Sequence, residues 1–207
     1  MKEYPKIETL LNRDPKTFKV ITNQWRLPEF EYLQNNSWLW VEKIDGTNIR
    51  VAWDAQEKKI TLGGRTDNAQ TPTFLIKKLQ ELFTVEKLAG IFPKQSMILF
   101  GEGYGARIQK GGGNYISNGV DFALFDVLVG DWWLKFVDIE DVAVKLRIKA
   151  APLISSGNLN DAIKFTQHGF NSAYGNFQAE GLVLRPYVDL MTRSGHRLIA
   201  KIKTKDF

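Results

Sequence analysis

Apolar positions in this chain fall mostly in short alternating runs bounded by turn residues, the pattern of half-buried strands. Residues 38–41 and 47–53 are rich in Trp, Val and Ile and read as two strands. Residues 58–62 read as a partner strand that breaks at Gly63-Gly64. From 73 to about 90 the period changes: Phe74, Leu75, Leu79, Leu82, Phe83 and Leu88 recur at helical spacing. Residues 97–100 form a short apolar run ending in Gly101-Glu102-Gly103. The Gly-rich, basic stretch 105–119 reads as a loop. Residues 122–129 and 132–136 read as strands around a Gly130-Asp131 turn. Asp138 is positioned to cap a helix running to about 149, and a second helix is expected over 158–168. Residues 181–185 and 198–203 read as late strands. Strands outnumber helices in mixed order, so the fold class is α+β with mainly antiparallel sheets and flanking helices.

Bulk properties narrow this little. The chain has 207 residues, no visible repeat and no low-complexity linker, which favours one domain over 1–207. A net charge of +5 is compatible with a phosphate-rich partner without requiring one. With no cysteine there is no disulfide and no thiolate metal site, which fits a cytoplasmic protein. The N-terminus lacks the apolar core of a signal peptide, and the longest apolar run, 122–129, is interrupted by Asp126. His168 and His196 are too few and too separated for a metal site. The Gly111-Gly112-Gly113 run is not followed by the Lys-Ser/Thr of a phosphate-binding loop.

The candidate chemistry centres on Lys43, in Glu42-Lys43-Ile44-Asp45-Gly46-Thr47-Asn48. A lysine delivered by a strand into a polar pocket is a candidate covalent nucleophile. Attack on a nucleotide α-phosphate would need cations around the phosphate, carboxylates for a divalent metal and an aromatic face for the base. Each is present at a predicted strand end. Lys201 and Lys203 alternate with Ile202 and so share a face. Glu180 opens one strand, Glu102 closes another, Phe122 begins a third, and Arg65 follows a Gly-Gly turn.

These residues resemble, in order, the motifs of the covalent nucleotidyltransferases, the superfamily of ATP-dependent DNA ligases, RNA ligases and mRNA capping enzymes. Lys43-Ile44-Asp45-Gly46 is similar to the nucleophile motif, and Phe100-Gly101-Glu102 to the third. Phe122-Ala123-Leu124-Phe125-Asp126-Val127 is similar to the aromatic motif. Glu180-Gly181-Leu182-Val183-Leu184-Arg185 and Lys201-Ile202-Lys203 are similar to the fourth and fifth. Asn48 stands where DNA ligases and capping enzymes usually carry Arg. With Ile108-Gln109-Lys110, it resembles the branch of the phage nick-sealing RNA ligase.

The resemblance implies an ATP-grasp-like nucleotidyltransferase (adenylation) domain, with ATP as donor and Mg2+ or Mn2+ as cofactor. It implies three steps: lysyl-AMP formation on Lys43, transfer of AMP to an RNA 5′-phosphate, and joining to a 3′-hydroxyl. By the same resemblance Lys201 and Lys203 neutralise the α-phosphate and Phe122 stacks on adenine. Glu102 holds the ribose, and Glu180 and Asp45 support the metal. Arg65 touches the substrate 5′-phosphate, Asn48 the phosphate or its metal shell, and Lys110 the triphosphate or RNA. Glu42 acts in the nucleotide site partly through its backbone carbonyl. Asp126 either binds metal or orders the pocket by hydrogen bonds. The chain stops four residues after Lys203, where relatives add an OB or helical domain. It is therefore expected to be a truncated or a minimal single-domain ligase, monomeric, acting on RNA ends or a nicked duplex and not on membranes. A minimal DNA nick ligase, GTP-dependent capping and a non-sealing end-binding module are the alternatives.

Overall fold

The computed structural model describes residues 1–207 in full. In chain order the strands begin with β1 (Glu8–Thr9), β2 (Leu11–Arg13), β3 (Val20–Trp25), β4 (Trp38–Glu42), β5 (Thr47–Asp54) and β6 (Lys59–Gly63). They continue with β7 (Met97–Gly105), β8 (Val120–Val129), β9 (Trp132–Trp133), β10 (Lys149–Ala150), β11 (Leu153–Gly157), β12 (Gly181–Pro186) and β13 (Ala200–Lys203). The helices are α1 (Pro28–Tyr32), α2 (Thr73–Leu82), α3 (Val85–Ile91), α4 (Gly112–Tyr115), α5 (Phe136–Leu146) and α6 (Leu159–His168). The α+β class and the antiparallel sheets follow the pattern read from the sequence. The chain divides into two compact units: Met1–Pro5 with Asp45–Ala151, and Lys6–Ile44 with Pro152–Phe207.

The first unit is built on a sheet ordered β10-β8-β7-β5-β6, with β9 beside β8. Alternation along β5, β7 and β8 puts Ile49, Val51, Trp53, Leu99, Phe122 and Leu124 on one face. That face is buried beneath Leu75 and Leu79 of α2, Leu88 of α3, and Ile139 and Leu146 of α5. The helix expected over 73–90 is two helices, because the Thr84 hydroxyl accepts from the Lys87 N–H and starts a new one. Asp138 lies in the first turn of α5, three residues after the N-cap at Lys135. Within the expected 105–119 loop, α4 packs against the end of β7. A Cβ on Gly112 would lie 1.9 Å from the Gly105 carbonyl oxygen, so only glycine permits the approach.

The opposite face of this sheet carries Asn48, Arg50, Phe100 and Glu102. Tyr4 crosses it, packing on Phe100 and donating its hydroxyl to Asp126. Asp126 also accepts from the Val127 N–H, so it orders this part of the unit by hydrogen bonding. Arg50 is wholly buried. Its Nε donates to Gly64 O at 2.6 Å, its Nη1 to Met1 O at 2.8 Å, and its Nη2 to Asp67 at 2.8 Å. One guanidinium thus ties the N-terminus and the end of β6 to β5.

The second unit is built on a sheet ordered β1-β13-β12-β4-β11, beside a β2–β3 hairpin. Trp38, Trp40, Leu182, Leu184, Ala200 and Ile202 bury one face against Leu159 and Ala162 of α6 and Phe30 of α1. Asn158 starts α6, its side chain accepting from the Asp161 N–H. Replacing Arg50 by Met removes every bond of its guanidinium and strands carbonyls beside it. The variant should lose about 2–3 kcal/mol of stability, read as a lower urea midpoint at unchanged slope.

Candidate functional site

Lys43 follows β4 directly, and its backbone N–H still donates to Gly181 O of β12 at 2.9 Å. Gly181 in turn is paired with Lys203 of β13, so Lys43, Gly181 and Lys203 form one row across three strands. Lys201 lies two residues before Lys203, opposite Val183, and shares the face. The opposite face is the apolar one bearing Leu182 and Ile202. Three lysines therefore stand on one side of the second unit's sheet.

Glu180 holds two of them. Lys43 Nζ donates to its Oε2 and Lys203 Nζ lies against its Oε1, each at 2.6 Å. All three are mostly shielded, with Glu180 12 % exposed, Lys43 23 % and Lys203 20 %, so both contacts are charge-assisted bonds in reduced solvent screening. Burial alone would raise the Glu180 pKa. The Lys43 charge and the bond from Lys203 outweigh it, and the carboxyl is held below its ordinary 4.5. Simple alternation would turn Glu180 to the apolar side, with Leu182. Gly181, at φ +152°, breaks that alternation. A Cβ there would also lie 2.1 Å from Ile202 O, so the position is closed to every other residue.

Glu42 has the opposite parity to Lys43. Opposite Leu182 in register, it faces the apolar side with Trp38 and Trp40 and is 1 % exposed. Its carboxylate accepts from the Ser172 hydroxyl and from the Ala173 N–H. Burial raises its pKa above 4.5, and those two bonds offset only part of the rise. The Glu42 side chain fastens β4 to the 172–173 segment on the far side from Lys43. Its backbone N–H donates to Pro152 O.

In the first unit, Asn48 and Glu102 are cross-strand partners on the face opposite the helices. The Asn48 Oδ1 is buried with no protein partner. An orphaned polar atom beside a half-buried carboxylate suits a ligand with hydroxyl or amide groups. The Asp45 N–H donates to the Tyr115 hydroxyl and the Gln109 side chain donates to Gly46 O, so the 105–119 segment folds against the turn after Lys43. Arg65 is exposed just beyond the Gly64 carbonyl that Arg50 grips, and Lys110 is exposed in the 105–119 segment.

Phe122 lies apart from Asn48 and Glu102. It is fully buried on the helix face, its ring edge-on to Phe83 at 5.3 Å, on the other side of the sheet from Glu102. Gly101 makes room for that ring, since a Cβ there would come within 2.1 Å of Phe122 Cζ. In this structure Phe122 packs in the helix-side core. Both Glu180 oxygens are occupied by lysines, and no group of three His, Asp or Glu residues is arranged to hold an ion. The residues present do not build a resident metal site.

Of the residues the sequence singled out, the structure brings Lys43, Glu180, Lys201 and Lys203 to one sheet face and Asn48 and Glu102 to another. Sequence reasoning missed Arg50, Ser172 and Tyr115. Arg50 had one signal, a charged residue inside an apolar strand. Ser172 and Tyr115 lie in irregular segments where nothing local points to their partners.

The two carboxylates should give opposite pH signatures. The stabilising effect of Glu180 is complete above its unfolded value of 4.5 and is lost as pH falls through its lower folded value. The urea midpoint should drop across that window in the wild type, and Glu180→Gln should flatten the drop. Glu42 destabilises as pH rises from 4.5 through its raised folded value, so Glu42→Gln should remove a loss of stability on the alkaline side of 4.5.

Comparison with known proteins bears on the fold and the family. Among solved structures, Naegleria gruberi RNA ligase with pyrophosphate superimposes with a TM-score of 0.68 at 22 % identity, covering 99 % of this chain and 63 % of that one. A lysine-substituted form of the same enzyme, with ATP and manganese, gives a TM-score of 0.68 at 21 % identity, covering 100 % and 64 %. Another, with AMP and manganese, gives 0.68 at 21 %, covering 99 % and 63 %. This chain thus spans under two thirds of the ligase it superimposes on, and at such identity the likeness shows the nucleotidyltransferase fold. No curated protein sequence matches the chain. The sequence profile of the RNA ligase family matches residues 36–203, from just before β4 to the last residue of β13. The chain belongs to the RNA ligase family.

Proposed function

We propose that residues 1–207 act as one adenylation domain of an ATP-dependent RNA ligase that joins 5′-phosphate to 3′-hydroxyl ends. The observation that carries this reading is the row of Lys43 and Lys203 on one carboxylate, with Lys201 on the same face. A phosphoryl centre arriving there meets a primary amine and two further cations. ATP brings its own divalent ion, Mg2+ or Mn2+, with phosphate oxygens and water completing the coordination.

In the first step Lys43 Nζ gives up a proton, and Glu180 Oε2, 2.6 Å away, is within reach to take it. The freed lone pair forms an N–P bond to the α-phosphorus, the bond to the β-phosphate oxygen breaks, and pyrophosphate leaves. Lys201 and Lys203 offset the charge that grows on the α-phosphate oxygens. In the second step a 5′-phosphate oxygen attacks the same phosphorus and Lys43 is released. In the third a 3′-hydroxyl attacks the 5′-phosphorus and AMP departs. Asn48 and Glu102 are the polar groups proposed to hold the nucleotide's sugar or phosphate, and Arg65 and Lys110 to meet anionic groups of the RNA. Asp45 serves through the turn it forms with Tyr115.

The test is a nicked RNA duplex with a 5′-phosphate, incubated with ATP and magnesium beside a DNA nick of the same sequence. The RNA nick should be sealed in preference. Lys43→Ala should abolish sealing with ATP yet keep sealing of a pre-adenylated nick, which bypasses the first step. Preferential DNA sealing would instead assign a DNA nick ligase. RNA binding with no joining of the pre-adenylated nick would assign an end-binding module.

A further inference from the structure

We propose that a cleft in the first unit, between α2 and the 106–120 segment, binds phosphodiesters of the RNA strand away from the adenylation chemistry. This rests on the ligase reading above and adds a subsite to it.

The cleft holds about 410 Å³. Its α2 wall is one helical face, Phe74, Lys77, Lys78 and Glu81, while Leu75 and Leu79 on the other side of the helix enter the core. Arg107 closes the opposite wall. Three cations therefore meet one carboxylate in a concave site.

Arg107 supplies a second, independent observation. It adopts φ +66°, the left-handed region that few non-glycine residues occupy. Its guanidinium nevertheless lies over the Phe74 ring, 4.9 Å from the centroid. The unusual backbone and the ring contact coincide at the cleft wall, where the guanidinium keeps donors for an anion. A guanidinium braced on an aromatic face and flanked by two lysines suits a polyanion backbone. The shape is open and the floor partly apolar, which suits a strand passing along it.

The experiment measures binding of a fluorescent nicked RNA duplex to the whole chain by anisotropy, from about 50 to 200 mM salt. Each cation that contacts a phosphate adds about 1 to the slope of log affinity against log salt. Replacing Lys77, Lys78 and Arg107 by Ala together should weaken binding at least tenfold and reduce the slope by about 2–3. Lys94→Ala, an exposed lysine outside the cleft, serves as the charge control and should change the slope by much less. Glu81→Gln should tighten binding, a gain that a merely destabilised variant cannot produce. Unchanged affinity and slope in the triple variant, with an unchanged urea midpoint, would overturn the proposal, as would an equal effect of Lys94→Ala. Labelling of Lys43 by ATP needs no RNA, so its failure in the wild type would count against the ligase reading alone.

Discussion

A single carboxylate, Glu180, sets the position of the amine on which the proposed chemistry depends. With one oxygen 2.6 Å from Lys43 and the other 2.6 Å from Lys203, it joins the end of β4 to the end of β13 across β12. Two ammonium groups this close would repel each other in a partly shielded site. The shared carboxylate removes that cost and leaves a surplus of positive charge facing outward, with Lys201 adding to it. The arrangement is a resting state. The contact with Glu180 aligns Lys43, and the arrival of nucleotide phosphates offers both lysines a competing anion.

That geometry depends on a break in strand alternation. Lys43, Lys201 and Lys203 reach one face by the two-residue period of their strands. Glu180 reaches it only because Gly181 takes a φ of +152° and packs on Ile202 O with no room for a side chain. In the other unit glycine does similar work for packing. Gly101 admits the Phe122 ring and Gly112 brings α4 onto β7. Arg50 replaces an apolar contact by a web of hydrogen bonds, fixing the strand end next to Arg65.

What the sequence disclosed follows from the same physics. Alternating runs gave the central strands, and chemically costly residues at their ends gave Lys43, Glu180 and the terminal lysines. The spacing Lys201-Ile202-Lys203 was enough to place both lysines on one face. Parity relative to a neighbouring strand was not legible, because register is decided by pairing between distant segments. Phe122 and Glu102 are cases in point: read from the sequence as strand ends, both lie inside longer strands, and the β7–β8 register sets them on opposite faces. Glu42 is adjacent to Lys43 in sequence and for that reason points away from it. The strands before residue 26 are two to six residues long and lack a clear period, so pattern reading passed over them.

The central claim, that Lys43 is the amine that accepts AMP, is tested most directly by peptide mass mapping after incubation with ATP and magnesium. The account predicts a single AMP adduct on Lys43, sensitive to acid and stable to base as a phosphoramidate should be. An adduct on Lys201, Lys203 or another residue, or ATP binding with no adduct at all, would contradict it.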